Sequence, residues 1–290
     1  MSVTAMRHQM IQEYNSAFYF PGTNWILVLV AIVVAIADGI IWLVLYRSPL
    51  FKKSGLWVVA IVSAALMWSA NSFIQYPLTI KIMNASINFI DETKIEYLKN
   101  LGYVQMTLVL NIPIMLLSGF LQEAEKMVPV LFYWLRNKKA FTPQLGLIAG
   151  AISGAGFGIF EAAYYQNRAL IGLYPMWLIG SSSPVWEFLE RFAIVGWHIA
   201  ATALIGYGLA TRRWWQYFVI IAIIHSFIDY LMILNYEHMV TTVQQETYMA
   251  GITVLFVALA LWLRWHKPKE IASINSTDIL PDTTPQAPTS

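Results

Sequence analysis

Seven stretches of about twenty mostly apolar residues recur along the 290-residue chain, each long enough to cross a hydrocarbon core of about 30 Å as an α-helix. Within lipid a backbone satisfies its own N–H and C=O groups only as a helix or a closed barrel. Runs of this length therefore dictate an all-α polytopic membrane protein. The spans read as about Asn24–Tyr46, Gly55–Leu78, Leu101–Leu121 (continuing as a polar-then-apolar helix to Leu135), Leu145–Ala169, Glu187–Leu209, Trp214–Leu234 and Thr247–Trp265. The first is too long for a signal-peptide apolar region and follows no basic run, so it is expected to be retained. Composition agrees: 58% of residues are hydrophobic and only 12% charged, about half the charge of a soluble domain. A soluble enzyme and a disordered chain are excluded. With 18 Lys+Arg against 16 Asp+Glu there is no basic surplus for phosphates, which excludes nucleic acid as a partner. Cysteine is absent, so disulfides and thiolate chemistry are excluded as well.

The basic residues set an orientation. Arg47, Lys52, Lys53, Arg136, Lys138, Lys139, Arg212, Arg213, Arg264, Lys267 and Lys269 fall on one side. Arg7, Lys81, Lys94, Lys99 and Arg168 fall on the other. The N-terminus is thus expected outside and the C-terminus in the cytoplasm. Residues 79–100 form the one sizeable outer loop, amphipathic and suited to the membrane surface. The expected organisation is a single membrane domain over 1–266 and a disordered cytoplasmic tail over 267–290, rich in Pro, Thr, Ser and Asp. The expected location is the plasma membrane of a prokaryote.

Ionisable groups at membrane depth cost about 2.5–3.5 kcal/mol each on insertion scales. This chain carries Asp38, Glu123, Glu125, Lys126, Glu161, Glu187, Glu190, Arg191, His198, His225 and Asp229 there, most of them on spans three to six. Counting from the cytoplasmic basic residues at a rise of about 1.5 Å per residue places Glu123, Glu161, His198 and His225 in one layer, slightly outward of the bilayer middle. Four helices contributing to one layer points to a shared polar centre and to function. His225 and Asp229, four apart, share a helix face, and the carboxylate can hold the second imidazole N–H. Glu123 and Lys126 form an internal i,i+3 pair, and Arg191 has a partner in Glu187. Asp38 reads as a structural hydrogen-bonding group, and Glu187 and Glu190 as residues of the outer interface. Gly146, Gly150, Gly154 and Gly158 repeat at four-residue spacing, a small-residue ridge for close helix packing in lipid that would hold Glu161 in a tight position.

These residues resemble a known family. Gly119-Phe-Leu-Gln-Glu-Ala-Glu-Lys126 is similar to the Glu-Glu-x-x-Lys/Arg motif of YhfC and PrsW-type intramembrane proteases, which belong with the CAAX-processing protease superfamily. Phe157-Gly-Ile-Phe-Glu161 resembles their Phe-x-x-x-Glu motif. Glu190-Arg-Phe-Ala-Ile-Val-Gly-Trp-His198 resembles the third, His-bearing motif, and His225-Ser-Phe-Ile-Asp229 the His-x-x-x-Asp motif. The resemblance covers about Leu101–Tyr236. It implies hydrolysis of peptide bonds in or near membrane-spanning substrates by a Glu/His-activated water, with Glu123, Glu161, His198 and His225 catalytic and Gln122, Lys126, Arg191 and Asp229 supporting. One departure is Gln122, where the family motif has its first Glu, so Glu123 or Glu161 must take the task of activating water.

On that resemblance, zinc is expected on Glu161, His198 and His225, with Glu123 as general base and Asp229 orienting His225. A metal-free version keeps Glu123 or Glu161 as base with the histidines as donors. Partners are a membrane protein or membrane-proximal peptide as substrate, and the lipid bilayer; an oligomer or complex is left open. Two other classes stay in view. One is a non-catalytic scaffold similar to the anterior-pharynx-defective subunit of γ-secretase, which has seven spans and a repeated GxxxG. The other is a proton- or cation-coupled transporter, against which the absence of an inverted repeat argues.

Overall fold

The computed structural model describes residues 23–48, 54–92, 101–171 and 184–266, and among these the regular structure is helical throughout. Eight α-helices follow one another: α1 Trp25–Leu45, α2 Ser54–Ala70, α3 Tyr76–Glu92, α4 Tyr103–Arg136, α5 Pro143–Leu170, α6 Pro184–Ala210, α7 Trp214–Tyr236 and α8 Thr242–Trp265. A π-helical turn, Asn71–Gln75, joins α2 to α3 into one rod, so seven helices are long and apolar enough to cross a membrane. The tail expected to be disordered, 267–290, lies outside the described residues.

Local chemistry explains the helix starts. Asn24 Oδ1 accepts from Ile26 N at 3.0 Å to open α1. Thr142 Oγ1 accepts from Leu145 N at 3.2 Å before α5, with Pro143 as the first helical residue. Thr241 and Gln244 satisfy each other's backbone N–H groups, at 3.2 and 2.9 Å, before α8. The second span departs from expectation. Instead of ending at Leu78, it stays helical through Glu92. After Pro77 no residue breaks the helix before that point, and the amphipathic pattern suits a helix lying against α4.

The centre of the bundle is the pair α5 and α6. In these two, 89% and 83% of the most apolar stretch is buried, against 17–33% for the other five spans. The remaining helices wrap the pair and turn apolar side chains such as Ile26, Leu29, Phe132 and Leu255 outward, as a lipid-facing surface requires. The glycine ridge makes the central contact: a Cβ at Gly150 would overlap the carbonyl of Thr202, and one at Gly154 the carbonyl of His198. Only glycine lets the two backbones approach this closely.

One end of the bundle gathers basic residues from separate helices. Arg264 donates through Nε to the Tyr46 carbonyl at 3.0 Å and through Nη1 to Gln144 Oε1 at 3.4 Å. Arg47 lies over the Trp265 ring at 4.8 Å. The end of α1, the start of α5 and the end of α8 are therefore tied together at the same level.

Candidate active site

Four helices converge on a buried polar cluster. Glu123 and Lys126 come from α4, Glu161 from α5, His198 from α6 and His225 from α7. Glu123 and Lys126 are completely buried, and Glu161, His198 and His225 are at most 7% exposed. A wedge of glycine sets the arrangement: Gly154 brings α5 onto the backbone of His198, and Gly119 brings α4 onto Ala222 and Ser226 of α7. Two motif helices are thus pressed against two others at the depth of the cluster.

The contacts form a continuous chain. Lys126 Nζ donates to Glu123 Oε1 at 2.6 Å and stands 2.9 Å from His198 Nδ1. His198 Nε2 is 2.8 Å from Glu161 Oε2, and His225 Nδ1 is 2.7 Å from Glu123 Oε1. The partners fix the tautomers. An ammonium only donates and a carboxylate only accepts. His198 therefore carries its proton on Nε2 toward Glu161 and offers a lone pair at Nδ1. His225 donates through Nδ1 to Glu123. Beyond Glu161 the chain continues to Arg191, at 3.8 Å, which also pairs with Glu187 at 3.2 Å and with Glu190. Within this chain of contacts Glu123 faces Lys126, and Glu161, Glu187 and Glu190 face Arg191, the condition under which charge is tolerated away from water.

Aromatic rings clamp the two imidazoles. The Phe157 ring lies tilted against His198 at 5.0 Å, the two histidine rings meet edge to face at 5.3 Å, and Trp197 closes edge to face on His225 at 5.9 Å. Lys126 Nζ also lies 5.1 Å from the centre of the Phe157 ring, a cation–π contact. Ser153 donates to the Lys126 carbonyl at 2.6 Å, tying α4 to α5 beside the cluster.

A cavity of about 590 Å³ opens between the helices and is lined by Glu161, Arg191, His198, His225 and Asp229 among others. Glu123 is not part of its wall; it backs the histidines from behind. A trio of potential metal ligands, Glu123, His198 and His225, has donor atoms that all lie within 4.8 Å of one another. Glu123 Oε2 is buried without a hydrogen-bond partner among the described residues. Two imidazole nitrogens and a carboxylate oxygen, with one oxygen left over, suit a divalent cation in kind and number. Glu161, expected in that trio, instead holds His198 from its far side.

The residues that the resemblance makes catalytic or supporting lie at or beside this cluster, with some partners rearranged. Asp229 Oδ1 is 3.7 Å from His225 Nε2, beyond hydrogen-bond range, and its other oxygen accepts from Ser118 at 2.7 Å. Glu187 and Glu190, expected at the outer interface, are 0% and 2% exposed and lie inside the protein against Arg191. Asp38 accepts from Gln166 at 3.3 Å, away from the cluster, as a structural group would. Ser118, Asn71 and Gln75 also line the cavity and were not singled out. For Ser118 the available signal was its pairing with Gln122, four apart in an apolar helix; for Asn71 and Gln75 it was only that two amides stand in an apolar run.

Compared with known protein families, the chain matches the model of the PrsW family intramembrane metalloprotease over residues 61–263. No curated protein and no solved structure matches it.

Proposed function

Because the chain belongs to the PrsW family of intramembrane metalloproteases, we propose that it hydrolyses peptide bonds of membrane-spanning or membrane-proximal segments at the cavity between α4, α5, α6 and α7. The observation that carries this reading is the juxtaposition of Glu123, His198 and His225 within 4.8 Å, with both histidines on the wall of a cavity inside a seven-span bundle. The protein is integral to the membrane. The end carrying Arg47 and Arg264 faces the cytoplasm, on the distribution of basic residues.

Glu123, His198 and His225 would hold a divalent cation, zinc by donor preference, which supplies Lewis acidity toward a water and the scissile carbonyl. Glu161 is the general base, because it is the cluster carboxylate that lines the cavity. It takes a proton from water as the oxygen adds to the carbonyl carbon, and returns that proton to the amine as the C–N bond breaks. Glu161 also accepts from His198 Nε2, which keeps the imidazole in the tautomer whose Nδ1 lone pair, met by Lys126 Nζ at 2.9 Å, would serve a metal. Arg191 restrains Glu161 and reaches the same cavity wall, where its charge can favour an oxyanion. Gln122 is then no obstacle to activity, since the proton is handled by Glu161.

The test uses tagged single-span reporter proteins co-expressed with the full chain. Cleavage products that vanish with both Glu161→Gln and His225→Ala support the reading. Unchanged products in both variants overturn it.

A further inference from the structure

Ser118 is a junction between two glutamines and an aspartate. Its hydroxyl donates to Asp229 Oδ2 at 2.7 Å. It accepts from Gln122 Nε2 at 3.0 Å and from Gln75 Nε2 at 3.1 Å. A hydroxyl has one proton and a carboxylate only accepts, so Ser118 has nothing left to donate. Both amides must therefore present their NH2 groups to it, and this fixes which end of each amide is nitrogen. Their oxygens, Gln75 Oε1 and Gln122 Oε1, are directed away from Ser118. Each is buried and has no hydrogen-bond partner among the described residues, although both residues line the cavity that holds Glu161, His198 and His225. A buried acceptor left without a donor costs about 1–3 kcal/mol, and these two belong to residues on the wall of one cavity. Gln75 owes its place to the π-helical turn Asn71–Gln75, a local break of the kind often found at functional sites.

We propose that Gln75 and Gln122 form a backbone clamp whose two amide oxygens accept N–H groups of an unwound polypeptide segment in the cavity. The proposal rests on the peptidase reading of the site and adds the means of substrate recognition. The missing partners are donors. Lipid headgroup phosphates and ester carbonyls offer acceptors, and an intact helical span has its N–H groups bonded internally. An unwound segment brings free N–H groups, and within the bilayer each of these costs several kcal/mol unless an acceptor meets it. Cleavage requires extended backbone, so acceptors fixed beside Glu161 stabilise the segment where it must be open. Both oxygens are closed to water, and an entering segment reaches them by displacing the side chains of the wall. Glutamine at position 122 is suited to this. A carboxylate there would set one acceptor against the acceptor side of Ser118, whereas the amide donates to Ser118 and keeps an oxygen for substrate.

The experiment uses the full chain carrying Glu161→Gln, in bicelles, and two fluorescent single-span polyleucine peptides. One has three central glycines; the other has N-methylated glycines at the same positions, which lack N–H groups. Fluorescence anisotropy is expected to show the first binding about tenfold or more tightly, as one lost hydrogen bond implies. In the further variant Gln75→Met/Gln122→Met this preference falls to near unity. No preference in the protein with both glutamines, a comparison that needs no variant of the clamp to fold, overturns the proposal. So does a preference undiminished in the double variant when its thermal unfolding matches the parent. Mass spectrometry of the glycine peptide after incubation with the unmutated chain reads peptidase activity separately. Preference without cleavage keeps the clamp and removes the peptidase reading; cleavage without preference removes the clamp alone.

Discussion

Lys126 Nζ stands 2.9 Å from His198 Nδ1 and 2.6 Å from Glu123 Oε1, so an ammonium occupies the ground between two of the three donors suited to a metal. Both cations need the same lone pairs. A divalent ion that takes Glu123 and His198 must displace the ammonium or share the site against like-charge repulsion, which is strong where the dielectric is low.

Lys126→Met is therefore expected to bind metal at least about tenfold more tightly than the unmutated chain, tenfold being about 1.4 kcal/mol. Without metal the variant leaves Glu123 buried with only His225 as partner, and breaking such a buried pair costs about 3–5 kcal/mol. Titration of the metal-free protein with cobalt(II), followed by its visible absorption, measures the first effect. Thermal unfolding with and without zinc measures the second. Equal cobalt affinity in the two proteins would remove the competition.

The glycine ridge gives a prediction for stability that depends on position. At Gly154 a Cβ meets the backbone of His198, and at Gly150 that of Thr202. Backbone cannot turn aside as a side chain can, so Gly154→Ala is expected to destabilise by about 1–3 kcal/mol and to lower activity by shifting His198. At Gly158 a Cβ meets His198 Cδ2 and the Val195 Cα, both at 3.2 Å, a looser approach than at Gly154, so Gly158→Ala should destabilise less than Gly154→Ala while still lowering activity by pressing on the His198 ring. Gly251, where an added Cβ meets no described residue within 4 Å, is the control: Gly251→Ala should be neutral or stabilising by up to about 1 kcal/mol. Unfolding in detergent checks the order.

The spans and the convergence of Glu123, Glu161, His198 and His225 were legible because both follow from one-dimensional quantities. Helix length must match bilayer thickness, and a rise of about 1.5 Å per residue converts sequence position into depth. Direction around the helix axis is not of that kind. It depends on which neighbour each helix meets, and so the sequence left open whether Glu123 or Glu161 faces the cavity, and placed Asp229 on His225 when Ser118 takes it. Gln75 was hidden for a further reason. A π-helical turn adds a residue to the local repeat, so Asn71 and Gln75 cannot be assigned to a face by ordinary helical spacing. Ser118 and the glutamines are also neutral, and a search for charges in lipid passes over them.

Glu161 and Glu123 should separate in their effects, although both are carboxylates of the same cluster. Glu161→Gln leaves Glu123, His198 and His225 in place and its amide oxygen can still accept from His198 Nε2, so zinc content should stay near that of the unmutated chain. Cleavage should fall by about 10²–10⁴-fold, the usual worth of a general base. Glu123→Gln removes the carboxylate that faces Lys126 at 2.6 Å and His225 at 2.7 Å. It should lose metal and activity together, and unfold at lower temperature because Lys126 is left as an uncompensated buried charge. Prolonged chelation of the unmutated chain should abolish cleavage, with zinc restoring it. Metal analysis beside a cleavage assay on the same preparations distinguishes the two roles: zinc loss in Glu161→Gln with zinc retained in Glu123→Gln would exchange them.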